Sequence, residues 1–411
     1  MKTILINAGQ LVTCSGFGPK SGAEAMNRLG IIEGGAVVME DGLITAVGTT
    51  KELLPRHRDA EVLDCAGKAV LPGFVDSHTH FIFGGYRAEE FSWRLRGVSY
   101  MEIMERGGGI NATVKPTRDA SEDELVEEGR KRLDSMLAFG VTTVEGKSGY
   151  GLDTENELKQ LRAMARLQKE HPLDVVPTFM GAHAVPDEYR GRTGEYVDYI
   201  IREMLPAAAG LAEFCDVFCE ARVFETEDSR RLLQAARSRG MKLKLHADEI
   251  VPIGGTELAA ELSALSADHL LHASDLGIRR LAEEGVVATL LPATAFSLKE
   301  PYARGRYMID QGCAVALASD YNPGSCFSNS IPLLFALATI YMGLTIEEAV
   351  TALTINGAAA VDRADRAGSI DPGKKADLVV LRYPDYHFLN YHFAVNIVET
   401  VIKEGRVAYQ A

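Results

Sequence analysis

Two histidines one residue apart, His78 and His80, end a short apolar stretch that follows Pro72-Gly73. Alternate residues of a strand project to the same side. A strand end at this point lets both imidazoles converge on one metal ion. Imidazole is a common ligand of zinc and iron, and either metal makes its water acidic near neutral pH. Lys244-Leu245-His246-Ala247-Asp248-Glu249 adds a third strand-end imidazole and, three residues on, a carboxylate able to move protons. Ser266-Ala267-Asp268-His269-Leu270-Leu271-His272 offers His269 or His272 to stabilise charge on a substrate oxygen, with His269 preferred. The apolar run Ala314–Ala318 delivers Asp320 as a metal ligand or proton acceptor. Each feature has a plainer use alone: a surface strand, a packed histidine, or an Asp that caps a helix. His57, His171, His387 and His392 fall outside any strand-end pattern and receive no function.

The elements that must position these groups alternate. Helical patterns at Glu122–Phe139 (capped by Ser121), Glu155–Glu170, Ser229–Ser238, Leu276–Glu284 and Tyr307–Gln311 precede strand patterns. Those strands begin near Val141, Asp174, Lys242, Val286 and Ala314. Repeated βα units imply a parallel sheet, and polar residues just after several strands favour a closed (β/α)8 barrel, whose chemistry sits at strand C-terminal ends. The two chain ends read differently. Thr3–Ile6, Ala36–Met39 and Leu43–Val47 are strand candidates near the start, and Ala376–Leu381, Ile397–Ile402 and Arg406–Tyr409 near the end. Glu40-Asp41-Gly42 and Lys403-Glu404-Gly405 are hairpin turns. The expected class is therefore α/β. A (β/α)8 TIM-like barrel spans 67–367, and residues 1–66 and 368–411 build a small composite β-sandwich domain.

Length and composition agree with a large catalytic domain plus a smaller one: 411 residues, 46% hydrophobic and 24% charged. A net charge of −14 argues against a broad nucleic-acid surface. No apolar run reaches transmembrane length, and the opening Met1–Asn7 turns polar too soon for a signal peptide. The six cysteines form no CxxC pair, which suits reduced thiols and a cytoplasmic setting. Cys215 and Cys219, four apart, are expected to share a helix face, with buried packing the favoured role.

The order HxH, His, His, Asp along one βα series resembles the amidohydrolase superfamily. Longer strings resemble its imidazolonepropionase family, over essentially the whole chain. They are His80-Phe81-Ile82-Phe83-Gly84-Gly85-Tyr86-Arg87, Glu145-Gly146-Lys147-Ser148-Gly149-Tyr150-Gly151-Leu152, Phe179-Met180-Gly181-Ala182-His183, His246-Ala247-Asp248-Glu249 and Ser319-Asp320-Tyr321-Asn322-Pro323-Gly324-Ser325. Gly146 departs from the alanine usual there. The resemblance implies hydrolysis of 4-imidazolone-5-propanoate to N-formimidoyl-L-glutamate in L-histidine degradation. It also implies one zinc or iron ion per chain held by His78, His80, His246 and Asp320, and a homodimer.

In that reading Glu249 orients or deprotonates water, His269 steadies the oxyanion, and Asp320 with Glu249 passes a proton to the leaving nitrogen. Arg87 is the expected clamp for the propanoate, since a guanidinium suits a carboxylate. Tyr150, His183, Asn322, Gly324 and Ser325 complete the substrate contacts. Some superfamily members carboxylate a strand lysine to bridge two metals. Lys147 is read instead as a loop residue, structural or near the substrate, in a mononuclear site. The competing readings are a cytosine- or guanine-type aminohydrolase, disfavoured by the Arg87 and Tyr150 strings, and a non-catalytic scaffold of the dihydropyrimidinase-like kind. The scaffold is disfavoured because every ligand position is filled.

Overall fold

A computed structural model describes residues 2–98, 102–103 and 106–411. The chain begins with β1 (Lys2–Val12), β2 (Ile31–Glu40), β3 (Leu43–Thr49), β4 (Glu61–Asp64) and β5 (Val70–Pro72). A parallel series follows: β6 (Phe74–Asp76), β7 (Val141–Lys147), β8 (Asp174–Ala182), β9 (Phe214–Cys219), β10 (Lys242–Ala247), β11 (Ser266–His269), β12 (Val287–Leu290) and β13 (Val315–Leu317). The chain ends with β14 (Leu378–Leu381), β15 (Val398–Lys403) and β16 (Arg406–Gln410).

The two chain ends form one mixed sheet, ordered β16-β15-β14-β5-β1-β2-β3, with β4 also paired to β1. β1 shifts register between Leu5 and Ala8, so its first half pairs with β4 and its second half with β5. This sheet folds over one apolar cluster to which both termini contribute, including Leu5, Leu11, Val37, Met39, Leu378 and Ile402. Both hairpin signals hold. Glu40 pairs with Leu43 and Lys403 with Arg406. The intervening residues Asp41, Gly42, Glu404 and Gly405 all take positive φ. That backbone matches the twist of the flanking strands.

β6 to β13 lie side by side in sequence order. The ring closes just beyond the regular strands, where Thr79 bridges Tyr321 in parallel. The Asp320 N–H donates to the His78 carbonyl at 3.0 Å, and the His80 N–H to the Tyr321 carbonyl at 2.9 Å. The seam of the barrel thus runs through the HxH segment and Asp320. β6 itself stops at Asp76, so the two histidines sit past its end. The chain crosses from the terminal sheet into the barrel at Gly73, where a Cβ would lie 2.2 Å from the Thr142 hydroxyl.

Helices form in all five expected places, two of them beginning more than one residue earlier than expected, at Thr226 rather than Ser229 and at Gly305 rather than Tyr307. Ser121 forms a capping box with Glu124 at the head of Glu122–Ala138, and Ser274 caps Asp275–Glu284. β9 was not anticipated. It places Cys215 and Cys219 on a buried strand rather than a helix, and burial raises both thiol pKa values, Cys219 to about 12. Their spacing fits a helix face and one side of a strand equally well, and packing is their role. Among the described residues no helix is long and apolar enough to cross a membrane.

Candidate active site

The barrel interior is charged rather than oily. Alternate residues of β7 and β10 point inward, which brings Glu145, Lys147, Lys244 and His246 together with Asp216 of β9 and Asp268 of β11. The Lys147 Nζ lies 2.7 Å from Asp216 Oδ2, 2.9 Å from Glu145 Oε2 and 3.8 Å from Asp268 Oδ2. The Lys244 Nζ lies 3.0 Å from Glu145 Oε2 and 3.8 Å from Asp268 Oδ2. All five side chains are fully buried. Burial works against a charged lysine, but Asp216, Glu145 and Asp268 together outweigh it and raise the Lys147 pKa. This corrects the loop assignment of Lys147. It is the last residue of β7, faces the barrel interior, and is absent from the cavity wall.

Above this layer sit the histidines. The Asp268 Oδ2 is 2.6 Å from His78 Nδ1, and Asp216 Oδ2 is 3.0 Å from His246 Nδ1. A carboxylate at Nδ1 fixes the proton there and leaves the Nε2 lone pair for a metal. The His78 Nε2 has no hydrogen-bond partner. It lies 3.5 Å from Asp320 Oδ1, with His80 Nε2 3.6 Å from the same oxygen and His246 Nε2 3.4 Å from His80 Nε2. Burial, then neighbouring cationic groups, depress the pKa values of His78, His80 and His269, so these imidazoles are neutral and able to bind a cation. Among the described residues three groups that share His78 could hold an ion: His78-His80-Asp320 and His78-His246-His269 on the cavity side, and His78-Glu145-Asp268 on the side of the buried layer. The donor set fits a metal ion: His78 with Nδ1 bound to a carboxylate and Nε2 free, further imidazoles beside it and a convergent carboxylate.

The predicted residues meet around a cavity of about 410 Å³ at the C-terminal ends of the strands. His80, His246, His269 and Asp320 form its floor, and Glu249, Tyr150, His183, Arg87, Asn322 and Ser325 its walls. His269 lines it and His272 does not. Glu249 Oε2 lies 3.5 Å from His269 Nε2. Burial, then the carboxylates of Asp320, Glu220 and Glu300, raise the Glu249 pKa well above the ordinary value. Asp320 is raised to about 6 by burial despite the bond from Thr294 Oγ1 at 2.7 Å.

His183 stacks on His80 with centroids 4.8 Å apart and donates from Nδ1 to the Gly149 carbonyl at 3.0 Å, which frees its Nε2. Tyr150 is buried against both rings. Asn322 is occupied within its own loop: its Oδ1 accepts from the N–H groups of Gly324 and Ser325, each at 2.8 Å. Gly324 is not itself in the wall but backs onto Arg87, where a Cβ would sit 2.1 Å from Nη1. Gly146 has no room for alanine, because a Cβ would approach Phe81 Cε1 to 2.6 Å. A second cavity, of about 420 Å³, opens between Asp174, Glu213, Arg363 and Lys375 at the opposite end of the barrel, away from every predicted site residue.

Several supporting groups lay outside the sequence reading. Asp248 accepts from the N–H groups of Ile253, Gly254, Gly255 and Thr256 and from the Thr256 hydroxyl, which fixes the loop carrying Glu249. Glu157 does the same for the Tyr150 loop through the N–H groups of Gly149, Gly151 and Leu152. His269, Asp320 and Asp248 all take positive φ without being glycine. Such backbone costs about 1–3 kcal/mol per residue and clusters where function demands it.

The amidohydrolase family model matches residues 69–408, and one for the imidazolonepropionase-like composite domain of bacteria matches residues 35–60. Relatives named imidazolonepropionase come from Clostridium tetani, at 63% identity over 99% of this chain and 98% of theirs, and from Parabacteroides distasonis, at 64% over the same shares. The chain belongs to the imidazolonepropionase family of amidohydrolases. The fold recurs more widely. A guanine deaminase from C. acetobutylicum superposes with a TM-score of 0.71 at 15% identity, over 100% of both chains. A 5-methylcytosine deaminase from Klebsiella pneumoniae gives 0.73 at 18%, over 100% of this chain and 98% of that one. These likenesses reach the barrel and the terminal sheet; the residues that line the cavity are this family's own question.

The anchoring of His78 makes a direct prediction. Asp268→Asn keeps the shape of the side chain but weakens the hold on the Nδ1 proton. Zinc affinity, measured by competition with a chelator, is expected to fall about 10–100-fold with the circular dichroism spectrum unchanged. An unchanged affinity would show that Asp268 serves only the buried ion layer.

Proposed function

We propose that this protein hydrolyses the ring amide of 4-imidazolone-5-propanoate to N-formimidoyl-L-glutamate. The observation that carries this reading is near full-length identity of 63% to a relative named imidazolonepropionase, with Arg87 facing the same cavity as the histidine cluster. His78, His80, His246 and Asp320 would hold one zinc or iron ion per chain, which supplies Lewis acidity and lowers the pKa of a water in the site.

The chain's own groups then divide the work. Glu249, high in pKa and beside His269, accepts a proton from the attacking water. The water oxygen bonds to the ring carbonyl carbon. His269, neutral and with neither ring nitrogen hydrogen-bonded among the described residues, donates to the oxygen on which negative charge grows. The carbon–nitrogen bond breaks as Glu249 and Asp320 return the proton to the leaving ring nitrogen. That sequence balances: water is consumed, one carboxylate forms, and the formimidoyl nitrogen leaves with its proton. His183 and Tyr150 hold the ring plane, and Arg87 meets the propanoate.

Two measurements check this reading. The substrate, generated in place from urocanate by urocanase, should lose its ultraviolet absorbance faster with metal-loaded protein than without, and formiminoglutamate should accumulate. Loss no faster than background, together with turnover of cytosine or guanine, would replace the substrate with a nucleobase. Glu249→Gln should keep its metal and lose turnover by about 10²–10⁴-fold; loss of the metal instead would make Glu249 a ligand.

A further inference from the structure

Two guanidinium groups reach the cavity, and they are not equivalent. Arg87 is spent on one carboxylate: Nε donates to Glu90 Oε2 at 2.9 Å and Nη2 to Glu90 Oε1 at 2.5 Å. Glu90 is buried and also accepts the Gly109 N–H at 2.9 Å, so the pair is fixed in place. A bidentate, nearly dry ion pair presents hydrogen-bond donors to the cavity but no net charge.

Arg94 sits two helical turns further along Ala88–Leu95, on the same side as Glu90. No carboxylate lies within ion-pair distance of it among the described residues. Its Nη2 donates to the Gly324 carbonyl at 3.1 Å, and its Nε is buried without a partner among those residues. Its other close neighbour is the Phe91 ring, 5.2 Å away. Glu90 acts on Arg94 only from beyond ion-pair distance and is held by Arg87, so Arg94 has no carboxylate of its own. Both guanidinium groups therefore flank Gly324, at the Asn322–Ser325 end of the cavity. The rest of the wall carries Glu249, Glu300 and Asp320, none of which attracts an anion.

We propose that Arg94 supplies the net positive charge that selects a substrate bearing a single carboxylate, while Arg87, neutralised by Glu90, contributes directional donors. The proposal rests on the substrate reading above and assigns its charge recognition to a residue outside the motif strings. It also accounts for an anion entering a protein of net charge −14: one guanidinium without an ion-pair partner at the cavity wall outweighs a screened global field.

Calorimetric titration of the zinc-loaded protein with 3-(imidazol-4-yl)propanoate and with its neutral amide tests this without turnover. Wild-type protein is expected to prefer the propanoate. Arg94→Gln should weaken propanoate binding by about tenfold or more, the worth of a charged hydrogen bond, and leave amide binding nearly unchanged. Arg94→Lys should recover much of the preference, since it restores the charge. Equal weakening of both probes in Arg94→Gln would assign Arg94 a structural role and overturn the proposal. An Arg94→Gln protein that keeps the wild-type preference would overturn it too, with the substrate reading intact. Wild-type protein that binds both probes alike would overturn the substrate reading, and the charge assignment with it.

Discussion

The rest of the site depends on the buried ion layer inside the barrel. Glu145, Asp216 and Asp268 are fully buried, and the ammonium groups of Lys147 and Lys244 beside them offset the cost of that burial. Removing one partner from such a set costs about 3–5 kcal/mol, a large part of a domain's total stability. The upper surface of the layer meets the histidines. Asp216 and Asp268 present oxygen to the Nδ1 atoms of His246 and His78, and this turns both Nε2 atoms toward one point. The layer holds three carboxyl groups against two lysines, an acidic excess that suits a cation directly above it.

The barrel closure and the site are the same piece of backbone. The hydrogen bonds that join the first barrel segment to the last are made by His78, His80, Asp320 and Tyr321. Three of the four candidate ligands, His78, His80 and Asp320, therefore sit on paired backbone at the seam, and the fourth, His246, sits on β10. The outer loops are tied by a repeated device, in which one buried acidic or amide side chain accepts several backbone N–H groups: Asp248, Glu157 and Asn322. These groups offset the backbone donors that tight turns leave unpaired. The φ values of +74° at His269 and +51° at Asp320 show that the turns are held, not relaxed.

Most of the framework was legible in the sequence because each metal-ligating group follows or ends an apolar run flanked by a helical pattern. Hairpins were legible from Asp41-Gly42 and Glu404-Gly405, where the residues demand positive φ. What stayed hidden depends on contacts across the barrel. Lys147 meets Asp216 from 69 positions away and His78 meets Asp268 from 190, and no local pattern encodes either pair. β9 was missed because six residues with cysteines four apart carry no unambiguous period. Arg94 was missed for a related reason: on an amphipathic helix a lone arginine reads as solvated, and only its lack of an acidic partner sets it apart.

The central claim is a single metal ion seated above that ion layer. Crystals of the metal-loaded protein, with diffraction recorded on both sides of the zinc and iron absorption edges, would test it directly. One anomalous peak per chain is expected, within about 2.0–2.3 Å of ligand atoms from His78, His80, His246 and Asp320. A second peak beside Lys147 and Glu145, or a single peak displaced onto Glu249, would contradict the account.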